Sequence, residues 1–155
     1  MSELQPGDKA PAFTLPADGA RDISLSDFAG KSVVLFFYPK DDTPGCTREA
    51  IDFTEHLTEF ESAGAVVIGL SKDTVAKHEK FRDKHNLKVI LASDADADVI
   101  GQYGAWVEKK MFGKAYMGIE RCTYLIGPDG VIKHIWRKVK VPGHAETVLK
   151  AVQAG

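Results

Sequence analysis

The chain holds two cysteines, Cys46 and Cys122, and a thiol is the side chain most readily turned into a nucleophile near neutral pH. Cys46 stands in "YPKDDTPGCTREAIDF", residues 38–53, directly after the apolar run "VVLFF". Threonine is a favoured helix N-cap and proline a favoured first helical residue. With Thr43 as cap and Pro44 as the first helical residue, Cys46 falls in the first turn. Backbone N–H groups there lack partners within the helix, and the positive end of the helix dipole faces the sulfur; both favour thiolate over thiol. At about 100° per residue, Cys46 shares a face with Phe53 and Leu57, which aims the sulfur into a pocket. A buried, inert cysteine beside an ordinary helix start accounts for the same spacing. Composition and spacing leave both readings open.

The elements that must position this residue follow from periodicity. Ser32 to Tyr38 is a near-continuous apolar run, the pattern of a strand buried on both faces. Thr47 to Ala63 reads as a helix carrying Ala50, Phe53, Leu57 and Phe60 on one face and ending at Gly64. Ala65 to Ser71 is a second buried strand, Thr74 to His85 a charged amphipathic helix, Val89 to Ala92 a short strand and Ala95 to Tyr103 a short helix. Arg121 to Ile126 and Val131 to Val139 bracket the turn "GPDG" as a hairpin, and His144 to Gln153 closes the chain as a helix. Pro6 to Pro16 and Arg21 to Ser24 are extended pieces around Asp18-Gly19. This order predicts an α/β fold, a mixed sheet flanked by helices, in one domain spanning residues 1–155. Ligands in open α/β sheets bind beyond the strands' carboxyl ends, where Cys46 lies.

Composition narrows the partners. A formal charge of −2 on 155 residues offers no basic stripe for nucleic acid, and no apolar run is long enough to span a membrane, so neither partner is expected. Two cysteines are too few for a disulfide scaffold, and the opening "MSELQPGDKAPAF" lacks a signal-peptide core, so the cytoplasm is the expected address. The five histidines, His56, His78, His85, His134 and His144, show no metal-ligand spacing, and no metal or cofactor is expected. "SDADAD" lacks the glycine and distal glutamate of a calcium loop. Lys109-Lys110 reads as a solvated charge run, and Trp106, Met111 and Trp136 as packing residues.

The segment "FYPKDDTPGCTREA" resembles the active site of the peroxiredoxins, whose signature Pro-x-x-x-Thr-x-x-Cys is met by Pro39, Thr43 and Cys46. Its fuller wording is similar to the bacterioferritin-comigratory-protein (PrxQ) branch. The likeness extends to "GDKAPAFTLPADG", "YGAWVEKKMFGKAYMGIERCTYLIGPDG" and "VKVPGHAETVL". The resemblance implies a thioredoxin-like fold and reduction of hydrogen peroxide and organic hydroperoxides. It makes Cys46 the peroxidatic cysteine, Thr43 the residue holding the peroxide through its hydroxyl, Pro39 a shield over the sulfur, and Arg121 the arginine that closes over the thiolate. Glu49 would orient Arg121. Thioredoxins carry Cys-x-x-Cys at this junction; here Thr43 stands in place of the first thiol, which weakens the alternative of a thiol-exchange protein. A non-catalytic scaffold is the remaining alternative.

Acidity alone does not make a peroxidase. A thiol whose pKa falls from ~8.5 to ~6 gains roughly thirtyfold in thiolate at about pH 7, yet loses roughly tenfold in nucleophilicity if a slope of about 0.4–0.5 applies. Stabilising charge on the leaving oxygen must be the larger effect, about 2.7–4 kcal/mol for one well-placed donor. Arg121, the Thr43 hydroxyl and the N–H groups of Gly45 and Cys46 are the expected donors. The sulfenic acid formed at Cys46 must then meet a second thiol. Many relatives in the branch carry it five residues on, where this chain has Ile51, or in the following helix, where Thr74 to His85 has no cysteine. If Arg121 points at Cys46, strand alternation turns Cys122 away, so a bridge to Cys122 is the lesser route. An external thiol, whether thioredoxin, glutaredoxin or glutathione, is the expected reductant, acting on a monomer. Ile51 lies off the apolar face and is expected to be exposed beside the pocket.

Overall fold

The computed structural model describes residues 3–155. Strands β1 (Thr14–Ala17) and β2 (Arg21–Ser24) form an antiparallel pair, and the 3-10 turn Leu25–Phe28 leads into β3 (Ser32–Phe37). Then come α1 (Pro44–Glu55), α2 (Leu57–Ser62), β4 (Ala65–Ser71), α3 (Val75–His85), β5 (Ile90–Ser93) and α4 (Val99–Gln102). The chain continues with β6 (Trp106–Met111), β7 (Lys114–Ile119), β8 (Cys122–Ile126), β9 (Ile132–Trp136) and α5 (His144–Ala154). Seven strands make one mixed sheet in the order β2-β1-β5-β4-β3-β8-β9. The inner strands β3, β4 and β5 run parallel, and β8 joins β3 antiparallel.

Strand β3 is the spine of the sheet. Because side chains alternate along a strand, Val33, Leu35 and Phe37 pack on one side with Tyr103, Cys122 and Tyr124. Val34, Phe36 and Tyr38 pack on the other with Cys46, Phe53, Phe60 and Val148. The two cysteines therefore belong to cores on opposite sides of the sheet. Helix α1 is seated by an aromatic stack: the Phe36 and Phe53 rings lie 4.7 Å apart and nearly parallel. Gly69, paired with Phe36 across the ladder, makes room for it, since a Cβ there would stand 2.7 Å from the ring.

Several expectations needed correction. The helix expected from Thr47 to Ala63 breaks at His56 into α1 and α2. The helix expected from Ala95 starts only at Val99, because the buried Asp94 carboxylate accepts from the Ile100 N–H at 2.8 Å and fixes the later start. The β6–β7 hairpin was not foreseen; among the described residues it forms a two-stranded sheet of its own. Trp106 and Met111, expected to be packing residues, are exposed on it. Ile51, expected to be exposed, is half-buried and packs against the core that holds Cys46 and Phe53.

Candidate active site

Thr43 has extended backbone angles and Pro44 is the first residue of α1, so the helix begins where Thr-Pro places it. Thr47 N–H donates to the Thr43 carbonyl at 2.8 Å, the first bond of the helix. The Thr43 side chain does not cap. Its hydroxyl donates to the Lys40 carbonyl at 2.8 Å. That bond commits the hydroxyl proton, so what Thr43 Oγ1 has left is an acceptor lone pair and not the donor expected of it. The N–H groups of Gly45 and Cys46 have no acceptor among the described residues and are free to donate, as in any uncapped first turn.

Cys46 sits in that turn, 1% exposed. Arg121, one residue ahead of β8, lays its guanidinium over the sulfur: Nη2 lies 3.3 Å from Cys46 Sγ, and Nη1 donates to Glu49 Oε1 at 2.7 Å. One planar fork thus spans a thiol and a carboxylate, a geometry lysine cannot reproduce. Gly45 permits it, because a Cβ at that position would approach Nη2 to 3.3 Å. The Arg121 carbonyl accepts from Val139 N–H at 2.9 Å, which fixes the backbone that carries the fork.

Glu49 is buried, and its second oxygen, Oε2, has no partner among the described residues. Desolvation pushes its pKa up to about 7, against the opposing pull of Arg121. Burial pulls the Arg121 pKa down, but Glu49 and Cys46 beside it outweigh this and raise it above its ordinary value. His144, whose Nε2 shares a 2.8 Å hydrogen bond with Thr123 Oγ1, is pushed down to about 4 by burial and then by Arg121, so it is neutral near pH 7. The full positive charge placed against the sulfur is that of Arg121.

Pro39 lies on the exposed turn leading from β3 into the loop before α1. The loop itself is pinned by a buried network that sequence spacing did not suggest. Tyr38 Oη donates to Asp41 Oδ1 at 2.6 Å, His78 Nδ1 lies 2.6 Å from Asp41 Oδ2, and His78 Nε2–H donates to the Ala92 carbonyl at 2.8 Å. Asp41 N–H in turn donates to Asp73 at 2.8 Å. Burial, and then the Asp41 charge, hold the Tyr38 pKa well above its ordinary value, so its O–H remains a donor. Tyr38 follows the end of β3, Asp41 lies in the loop, Asp73 between β4 and α3, His78 in α3 and Ala92 in β5, and only the fold brings them together. Cys122, the other thiol, is buried on the far side of the sheet, and desolvation pushes its pKa up to about 12. Among the described residues, no three His, Cys, Asp or Glu side chains cluster as a metal site would require.

The molecule is an α/β protein whose first core helix opens on a cation-held thiol. The sequence profile of the AhpC/TSA family matches residues 6–135. A putative peroxiredoxin bcp from Coxiella burnetii is 52% identical over 146 residues, covering 94% of this chain and 97% of its own. Among solved structures, a cysteine-to-serine variant of Xylella fastidiosa PrxQ matches with a TM-score of 0.93 at 40% identity, covering 99% of this chain and 98% of that one. The Xanthomonas campestris bacterioferritin comigratory protein, solved in work on its alkyl peroxide reduction, matches with a TM-score of 0.88 at 43% identity, covering 92% and 90%. The chain belongs to the AhpC/TSA family of peroxiredoxins, in its Bcp/PrxQ branch. Its fold is thioredoxin-like, and it is a thiol-dependent peroxidase that reduces peroxides through a peroxidatic cysteine and draws on a thiol reductant.

Proposed function

We propose that Cys46 is the peroxidatic cysteine and that Arg121, Thr43 and the Gly45 and Cys46 N–H groups form the site for the peroxide. The observation that carries this is the single guanidinium fork bridging the buried Cys46 sulfur and the buried Glu49 carboxylate. The thiolate attacks the terminal oxygen of R–O–O–H and the O–O bond breaks. Sulfur is oxidised to the sulfenic acid, Cys–S–OH, while RO⁻ leaves and takes a proton from solvent. Thr43 Oγ1 accepts from the peroxide O–H, and Arg121 with the free N–H groups donates to the leaving oxygen, whose charge grows as the bond breaks. Glu49 is a positioning residue that keeps the fork over the sulfur, and Pro39 flanks the entrance.

Hydrogen peroxide and organic hydroperoxides are the proposed substrates; the alkyl peroxide activity of the Xanthomonas campestris relative supports the second class. The cycle runs on one cysteine. Ile51 occupies the position where relatives carry a resolving thiol, and Cys122 has neither the side of the sheet nor the acidity to serve. An external thiol, glutathione or the dithiol of thioredoxin or glutaredoxin, resolves the sulfenic acid on a monomeric, single-domain protein of the cytoplasm. Since Cys46 is 1% exposed, that thiol reaches it only when the first turn of α1 opens. Intact mass after one equivalent of peroxide tests the cycle. A gain of one oxygen on Cys46 is expected, and loss of two hydrogens in a Cys46–Cys122 disulfide would refute it.

A further inference from the structure

Among the described residues, the five large hydrophobic side chains left exposed are Trp106, Met111, Phe112, Tyr116 and Met117, and all five lie on the β6–β7 hairpin. The strands are joined by Phe112-Gly113, with φ of 53° and 77°. Two central residues at positive φ are what a type I′ turn requires, and asparagine or aspartate before glycine meets that with least strain. A bulky residue at positive φ is a backbone outlier. Phe112 accepts that strain while its side chain is 96% exposed, so the fold gains nothing from the ring. A local rule broken without a folding gain marks a residue placed for something outside the chain.

Charge is arranged around the same end. The hairpin carries Lys109, Lys110 and Lys114 against Glu108 alone, net positive on a chain whose formal charge is −2. The register puts Lys110 across from Ala115, on the face that holds Trp106 and Met117. It puts Lys109 across from Tyr116, and Met111 across from Lys114, on the other face. Neither face is apolar, so a protein covering one face would bury a lysine ammonium with it. What is apolar is the end, Met111 and Phe112, inside a collar of lysines from both faces. That end-on arrangement suits an anionic bilayer: the tip passes beneath the headgroups while the lysine stems lie along it and their ammonium groups stay at phosphate level.

We propose that the β6–β7 hairpin docks this protein, tip first, on an anionic lipid surface. No helix among the described residues is long and apolar enough to cross a membrane, and docking needs none; the sequence-based expectation of no membrane partner rested on the lack of a spanning segment. The Glu120 N–H donates to the Ala105 carbonyl at 2.7 Å and closes the hairpin base next to Arg121. Six residues per strand at about 3.4 Å each carry the tip roughly 20 Å from that base, so docking is separable from the peroxide chemistry.

The test is co-sedimentation of the intact protein with phosphatidylcholine vesicles, with and without phosphatidylglycerol, at low and high salt. Wild type should bind the phosphatidylglycerol vesicles and be released by salt. Each lysine near an anionic leaflet strengthens binding about fivefold, so Lys109→Gln, Lys110→Gln and Lys114→Gln together should weaken it roughly a hundredfold. Phe112→Asp, which suits positive φ, should abolish binding, and both variants should keep wild-type hydrogen peroxide turnover as proof of folding. Absence of wild-type binding to the anionic vesicles at low salt, or undiminished binding by Phe112→Asp, overturns the proposal. So does a concentration-dependent dimer that Phe112→Asp dissolves in a protein that ignores vesicles, which would assign the tip to a second copy.

Discussion

Replacing Arg121 by lysine keeps a positive charge and removes the fork. In the native geometry Nη2 reaches Cys46 Sγ at 3.3 Å while Nη1 holds Glu49 at 2.7 Å. A single ammonium cannot occupy both positions, and the buried Glu49, with one oxygen already unpartnered, competes for it. In the proposed reaction the leaving oxygen therefore loses a fixed donor, which in other enzymes is worth about 10²–10³ in rate, or about 2.7–4 kcal/mol. Ionisation sets a ceiling that separates this from the competing explanation. For any thiol, a pKa rise from ~6 to ~8.5 costs at most roughly thirtyfold in thiolate at about pH 7, and the gain in nucleophilicity gives part of that back. Stopped-flow measurement of single-turnover peroxide reduction, with thiolate ultraviolet absorbance followed over pH in the same variant, gives both quantities. The expected result for Arg121→Lys is a rate loss of about 100-fold or more, larger than any fall in thiolate absorbance in the same variant accounts for. An unchanged rate, or a loss that follows the thiolate signal throughout, would refute leaving-group stabilisation by Arg121.

Gly45→Ala should displace the fork, whose Nη2 would stand 3.3 Å from the new Cβ, and slow peroxide reduction about tenfold, while alanine's better helix propensity leaves thermal stability unchanged or raised; a normal rate would show that the fork gives way freely. Glu49 titrates at about 7 in the folded chain against its ordinary 4.5, so between these values the folded state keeps a proton that the unfolded state has lost. Stability accordingly falls as pH rises through that window. Glu49→Gln should flatten this fall and be more stable than wild type by up to about 3 kcal/mol above the window, checked by urea melts at several pH values. Thr43→Val removes the acceptor proposed for the peroxide, and the bond to Lys40, but no helix cap. KM for hydrogen peroxide should rise about tenfold, from the loss of a hydrogen bond worth about 1 kcal/mol or more, with little change in melting temperature; an unchanged KM would confine Thr43 to the loop.

The parts of this fold that were legible in the sequence are those whose pattern is local. The boundaries of β4 follow from an apolar run bounded by Gly64 and a polar stretch, and the start of α1 follows from Thr43-Pro44. Cys46 in the first helical turn and its facing toward the core with Phe53 follow from the same spacing. The β6–β7 hairpin escaped because its apolar and charged residues alternate on neither face, and because Phe112 stands where a turn residue would have signalled it. The late start of α4 depends on the Asp94 carboxylate reaching Ile100, which periodicity does not contain. Within the site, the placing of Arg121 beside Cys46 came from family resemblance, since 75 residues separate the two in sequence. The Tyr38–Asp41–His78 network escaped altogether, because no spacing rule links a strand end, a loop and a distant helix.

Which sulfur meets the peroxide decides the chemistry proposed for this site. Consumption of hydrogen peroxide by Cys46→Ser and by Cys122→Ser, each with a thiol reductant in excess, answers that directly. Cys122→Ser should turn over like wild type, and Cys46→Ser should consume none beyond the reductant's own background. Turnover retained by Cys46→Ser would contradict the account at its centre.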